Sequence, residues 1–132
     1  MVKALEVAVA VIVRKNQILL AKRPEGKKHA GLWEFPGGKF ESNESLGQAL
    51  TREIKEELGI TIKEYQELLE IAHDYPDYSV VLKIALVTDF SGEPFGRENQ
   101  EVAWIPASDL EQYDFPEANT PILDKLKAIG IN

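Results

Sequence analysis

The segment from Glu44 to Leu58 constrains this chain most, because strong helix formers fill it and Asn43 and Gly59, residue types that cap helices, bound it. On a wheel of about 100° per residue its apolar stripe is Leu46, Ala49, Leu50, Ile54 and Leu58. Glu53 and Glu57 fall inside that stripe, about 40° apart, and Glu56 lies at its edge. Solvent receives Glu44, Gln48, Thr51, Arg52 and Lys55. A surface helix ordinarily keeps its charges opposite its apolar stripe. Like charges four residues apart repel, and part-burying them is costly unless something positive compensates. A hard divalent cation does so most simply, since carboxylate and carbonyl oxygens are the ligands magnesium and manganese prefer. Gly37-Gly38, just upstream, would let the backbone approach a ligand closely, although a tight turn before a helix explains the pair equally well.

Around this helix the sequence reads as alternating strands and turns. Val7–Val13 is a buried strand, Lys15-Asn16-Gln17 a turn and Ile18–Lys22 the returning strand. Pro24–Gly31 is a loop, Leu32–Phe35 a short apolar piece, and Pro36-Gly37-Gly38 ends regular structure. Leu68–Ala72 and Val80–Val87 are strands across a Pro76-Asp77 turn, and Glu101–Ile105 is a third. Ser108–Tyr113 reads as a short helix, and Thr120-Pro121 opens a last one that Gly130 closes. With 132 residues this implies one domain over residues 1–132, of α/β (α+β) class, with a mixed sheet flanked by helices as a sandwich.

Composition narrows the partners. A net charge of -7 argues against gripping long nucleic acid through its phosphates, yet leaves room for a small phosphorylated ligand bridged by cations. The absence of cysteine excludes disulfides and thiolate chemistry and fits a cytoplasmic setting. Ala4–Val13 is interrupted by Glu6 and runs into Arg14-Lys15, so it reads as a strand rather than a signal peptide, and no stretch suggests a membrane span.

Taken in order, Gly38, Glu44, Arg52-Glu53-Ile54, Glu56-Glu57 and Gly59-Ile60 resemble the signature box of the Nudix hydrolases at every fixed position. The resemblance implies a three-layer α/β/α sandwich, Mg2+ or Mn2+ as cofactor, and hydrolysis of a nucleoside diphosphate linked to another moiety. It implies that Glu53, Glu56 and Glu57, with the Gly37 carbonyl, hold the metals and that Arg52 orients a glutamate. Trp33-Glu34-Phe35-Pro36-Gly37-Gly38-Lys39 and Asp114-Phe115-Pro116-Glu117-Ala118-Asn119 are similar to the MutT subgroup, which removes 8-oxo-dGTP. By that likeness Asn119 reads the oxidised guanine with an amide that both donates and accepts, Arg23 assists, and Glu34, Phe35 and Pro36 line the base pocket. Without the likeness, Asn119 reads as a cap or turn residue before Thr120-Pro121.

Glu98 matches a further metal-binding or base glutamate, with a plain loop carboxylate as the alternative. Asp77 also matches, but Tyr78 replaces an arginine and the Glu25–Ala30 loop departs, which bears on substrate preference. Lys39 and Arg23 are the cations placed for phosphates, and His29 could reach a phosphate or ribose. His73 reads as a surface or capping residue, and Trp33 and Trp104 as core or pocket wall. Water activated by Glu53 or Glu98 would attack an internal phosphorus of 8-oxo-dGTP or a related purine triphosphate, releasing the nucleoside monophosphate and pyrophosphate. The rivals are a CTP or modified-pyrimidine pyrophosphohydrolase of the same family, a noncatalytic nucleotide sensor, and a calcium-binding structural module. A monomer is expected, with a dimer as the alternative.

Overall fold

A computed structural model describes residues 4–23 and 31–132, so His29 and the Glu25–Ala30 loop lie outside the described residues. The valine- and isoleucine-rich run becomes β1 (Leu5–Arg14). It returns as β2 (Gln17–Lys22) through Lys15-Asn16, whose φ angles of 52° and 59° suit a two-residue hairpin turn. β3 (Trp33–Glu34) pairs with the end of β2, and β4 (Gly37–Lys39) pairs antiparallel with Val7–Val9 of β1. After helix α1 (Leu46–Leu58), the hairpin of β5 (Thr61–Tyr75) and β6 (Tyr78–Ser91) turns at Pro76-Asp77. β6 lies parallel to β1, and β7 (Val102–Pro106) runs antiparallel along β2. A 3-10 turn (Ala107–Gln112), a second (Glu117–Asn119) and helix α2 (Thr120–Ala128) complete the described chain.

Alternation along β1 explains the layering. Ala8, Ala10 and Ile12 pack in one core with Ala49, Leu50, Ile54 and Leu58 of α1. Val9 and Val11 point the other way, into a core with Ile122 and Leu126 of α2. Both faces of this mixed sheet are covered, as the unbroken apolar run requires, and the architecture is the expected α/β/α sandwich. Leu50, Ile54 and Leu58 are fully buried, and each such side chain contributes about 1.5–3 kcal/mol.

Local expectations change in four places. Ser45, not Asn43, caps α1: its hydroxyl accepts from Gln48 N–H while Gln48 reaches back to Ser45 N–H. Asn43 instead takes a left-handed turn conformation (φ 65°), where a short amide is tolerated. Gly37-Gly38 does not end regular structure but forms β4, because β1 offers it an open ladder. β5 extends well beyond Leu68–Ala72, since a polar edge strand lacks the apolar signal that marks a buried one. The segment around Ser108 is a 3-10 helix rather than an α-helix.

Candidate active site

The acidic face of α1 lies against β4, and glycine makes that approach feasible. A Cβ on Gly38 would stand 2.3 Å from the Glu53 carboxylate, and one on Gly37 only 2.0 Å from the Ala8 carbonyl oxygen. Gly37 N–H donates to Glu57 Oε2 at 2.9 Å. N–H and C=O of one strand residue point the same way, so the Gly37 carbonyl also faces away from β1, on the side of Glu57.

Arg52 organises the opposite edge. Its Nε and Nη2 clasp Glu44 at 2.7 and 2.8 Å, its Nη1 donates to Glu53 Oε1 at 2.8 Å, and Nη2 also reaches the Lys39 carbonyl at 3.1 Å. An ion pair of this geometry suits the orienting role that the resemblance implies for Arg52. Glu44 and Arg52, however, are largely sheltered rather than solvent-facing. Glu44 precedes the helix, where its carboxylate folds back under the guanidinium. Held by Arg52 and by Glu41 N–H, it is pulled down to about 2, while the Arg52 guanidinium is held more firmly protonated still.

Glu57 is the group under greatest electrostatic stress. Burial first, then the charge of Glu34, push its carboxyl up to about 8; Glu53 and Glu98 add to this and the Gly37 N–H bond opposes it. Glu98 contributes from another element. Its loop docks on the last turn of α1, where helix carbonyls lack partners. Phe95 N–H donates to Leu58 C=O at 3.1 Å, Arg97 N–H to Glu57 C=O at 2.9 Å, and Arg97 Nη1 to Lys55 C=O at 3.0 Å.

Beside this face lies a cavity of about 410 Å³. Arg23, Glu34, Phe35, Lys39, Tyr78 and Asn119 line it, as do Gly37 and Gly38. Pro36 and Asp77 do not: Pro36 is buried, accepting from Ala10 N–H through its carbonyl, and Asp77 sits exposed at the β5–β6 turn. Arg23 is ion-paired to Glu34 at 3.2 Å, and burial raises the Glu34 carboxyl while Arg23 opposes the rise. Phe35 stacks on Phe115 with ring centroids 5.3 Å apart. Asn119 occupies the cap position of α2 but makes no side-chain cap bond, which removes the capping explanation for it. It is 9% exposed, the buried polar residue of the cavity wall.

The cavity floor was missed by sequence reasoning. It is built from Leu5, Val7 and Val9 of β1 beside Val80 and Leu82 of β6. Their alternate spacing was the available signal, but it reads equally well as core. His73 lies outside the cavity, edge-on to Tyr75 with Nε2 3.4 Å from Glu117 Oε2. Trp33 packs edge-on against Tyr113, and Trp104 lies beneath the Arg14 guanidinium. Neither tryptophan lines the cavity.

A divalent cation suits the donor chemistry of this face. Glu53, Glu57 and the Gly37 carbonyl are hard oxygen donors, and a positive charge is what would relieve the raised Glu57. As placed, no three acidic or histidine side chains among the described residues meet around one point. Glu53 is drawn to Arg52, Glu57 to Gly37, and Glu56 is half exposed near Arg52. Loading would require these side chains to rotate.

Residues 8–125 match the NUDIX domain family, and the chain belongs to it. It is 38% identical over 128 residues to the 8-oxo-dGTP diphosphatase of Escherichia coli K12, spanning 96% of this chain and 99% of that protein. It is also 40% identical over 129 residues to the E. coli K12 CTP pyrophosphohydrolase, spanning 96% and 94%. A solved structure from a study of MutT from Aliivibrio salmonicida and Vibrio cholerae superposes with a TM-score of 0.81 at 38% identity, covering 94% of this chain and 96% of that one. Nudix hydrolases generally depend on divalent metal and act on small nucleotide substrates. Among the described residues no helix is long and apolar enough to cross a membrane.

Proposed function

We propose that this chain hydrolyses 8-oxo-dGTP and related purine nucleoside triphosphates to the nucleoside monophosphate and pyrophosphate, sanitising the nucleotide pool. One observation carries the reading: a single cavity joins Asn119, a buried amide not spent on capping, to Gly37-Gly38, the strand that backs the helix carboxylates. A base held at Asn119 would direct its phosphates toward Lys39 and the acidic face. The 8-oxo-dGTP diphosphatase relative supports the choice of base.

Glu53, Glu56, Glu57, the Gly37 carbonyl and Glu98 would hold Mg2+ or Mn2+, which when bound neutralises charge developing on the triphosphate. Arg52 keeps Glu53 turned toward β4. Glu98 is exposed, whereas one Glu53 oxygen is committed to Arg52, so we assign Glu98 to take the proton from the attacking water. Arg23 is already partnered by Glu34, which leaves Lys39 at the cavity rim as the cation for the phosphates. The chain acts as a single domain over residues 1–132 and as a cytoplasmic monomer without nucleic-acid binding, in keeping with its charge of -7.

The second reading, a CTP pyrophosphohydrolase, is favoured by the 40% identity to the relative of that name. Mg2+-dependent pyrophosphate release from 8-oxo-dGTP, dGTP, CTP and 5-methyl-dCTP, compared as kcat/KM, separates the two. Preference for 8-oxo-dGTP, lost in Asn119→Ala, is the expected result. Preference for cytidine nucleotides would keep the metal chemistry and overturn the base pocket.

A further inference from the structure

Gln100 connects the backbones of two acidic residues distant in sequence. Its Oε1 accepts from Glu98 N–H at 2.9 Å, and its Nε2 donates to the Glu57 carbonyl at 3.1 Å. Both poles of one amide are used, which no carboxylate or hydrocarbon of that length reproduces. We propose that Gln100 is a positioning residue of the reaction, holding the Glu98 turn in register with the last turn of α1 so that Glu98 and Glu57 face one cation. This rests on the assignment of Glu98 above.

Glu98 is exposed and sits in a turn closed by Asn99 N–H on the Gly96 carbonyl, with Asn99 left-handed at φ 64°. The bonds from Phe95 and Arg97 to α1 all anchor the chain before Glu98. Gln100 anchors the far side and takes up the N–H of Glu98 itself. Glycine permits the tight turn, for a Cβ on Gly96 would stand 2.0 Å from the Gln100 carbonyl oxygen. With both limbs tied to α1, the backbone of Glu98 is held beside the last turn of α1, on the same amide that binds the Glu57 carbonyl. Groups that orient metal ligands in this way typically matter by about 10–100-fold in affinity or rate.

The test is a double-mutant cycle of Glu98→Gln, Gln100→Leu and the pair. It is read by Mn2+ affinity without nucleotide, from electron paramagnetic resonance titration, and by kcat and KM with 8-oxo-dGTP. Gln100→Leu should lower Mn2+ affinity and kcat by about 10-fold with little change in KM, and the pair should be no worse than Glu98→Gln alone. A helix-capping role alone would lower the melting temperature and leave Mn2+ affinity unchanged, which would overturn the proposal, as would additive losses. Gln100→Asn, too short to reach both partners, gives the same reading should the leucine variant fail to fold. Wild-type behaviour of Glu98→Gln would refute the assignment of Glu98 and this proposal with it. A loss in Glu98→Gln beside an unaffected Gln100→Leu would refute the role of Gln100 alone.

Discussion

Glu57→Gln should make the metal-free protein more stable while abolishing turnover. The Glu57 carboxyl is pushed from 4.5 to about 8 on folding, chiefly by burial and by Glu34. A folded-state value above the unfolded one means that the stability contribution is complete below about 4.5 and is lost as pH rises through about 8. Those two values put the loss near pH 7.5 at about 4 kcal/mol; side-chain rotation and water entry reduce it to roughly 2 kcal/mol. Glutamine is neutral and keeps an oxygen for Gly37 N–H. In a domain of this size about 2 kcal/mol corresponds to roughly 5–10 °C in Tm. Thermal unfolding in EDTA should show the variant more stable by that amount at pH 8, with the gap closing towards pH 5. Adding Mg2+ should stabilise the wild type and leave the variant unchanged. A variant no more stable than wild type at pH 8, or a gap independent of pH, refutes the electrostatic account of this site.

Gly38→Ala should cut kcat and Mn2+ affinity by at least about 10-fold with modest loss of stability, because the new methyl meets a movable Glu53 side chain, whereas Gly37→Ala meets backbone and should melt much earlier. Paired kinetics and calorimetry on the two variants check the contrast. Glu44 is held down to about 2, so its stabilising effect is present above about 4.5 and lost as pH falls through about 2; Glu44→Gln should flatten the acid limb of a urea-unfolding series. Tyr75 Oη accepts from Ala118 N–H at 2.9 Å and so steadies the turn that presents Asn119. Tyr75→Phe should cost about 1 kcal/mol of stability and narrow discrimination between 8-oxo-dGTP and dGTP, measured as the ratio of kcat/KM values.

The placement of Glu53 and Glu57 within the apolar stripe of α1 was legible from spacing alone, because helical geometry is local and a residue's face follows from its number. For the same reason the hairpin at Lys15-Asn16, the doubly buried β1 and the layered architecture could be read before any contact was known. Asn43 misled because Ser45 completes a reciprocal bond with Gln48 that composition does not reveal. Which strand covers which edge, by contrast, depends on pairing between distant segments. That pairing turns Gly37-Gly38 into a strand on β1, ties the Glu98 loop to the carbonyls of α1, and makes a cavity floor of alternate residues on β1 and β6. Sequence determined which residue types could bind metal, phosphate and base. Tertiary structure decided that Asn119 lines the cavity without capping α2, that Arg23 faces Glu34, and that the charges of three other glutamates act on the buried Glu57 carboxyl, because burial and charge proximity exist only after the chain has closed on itself.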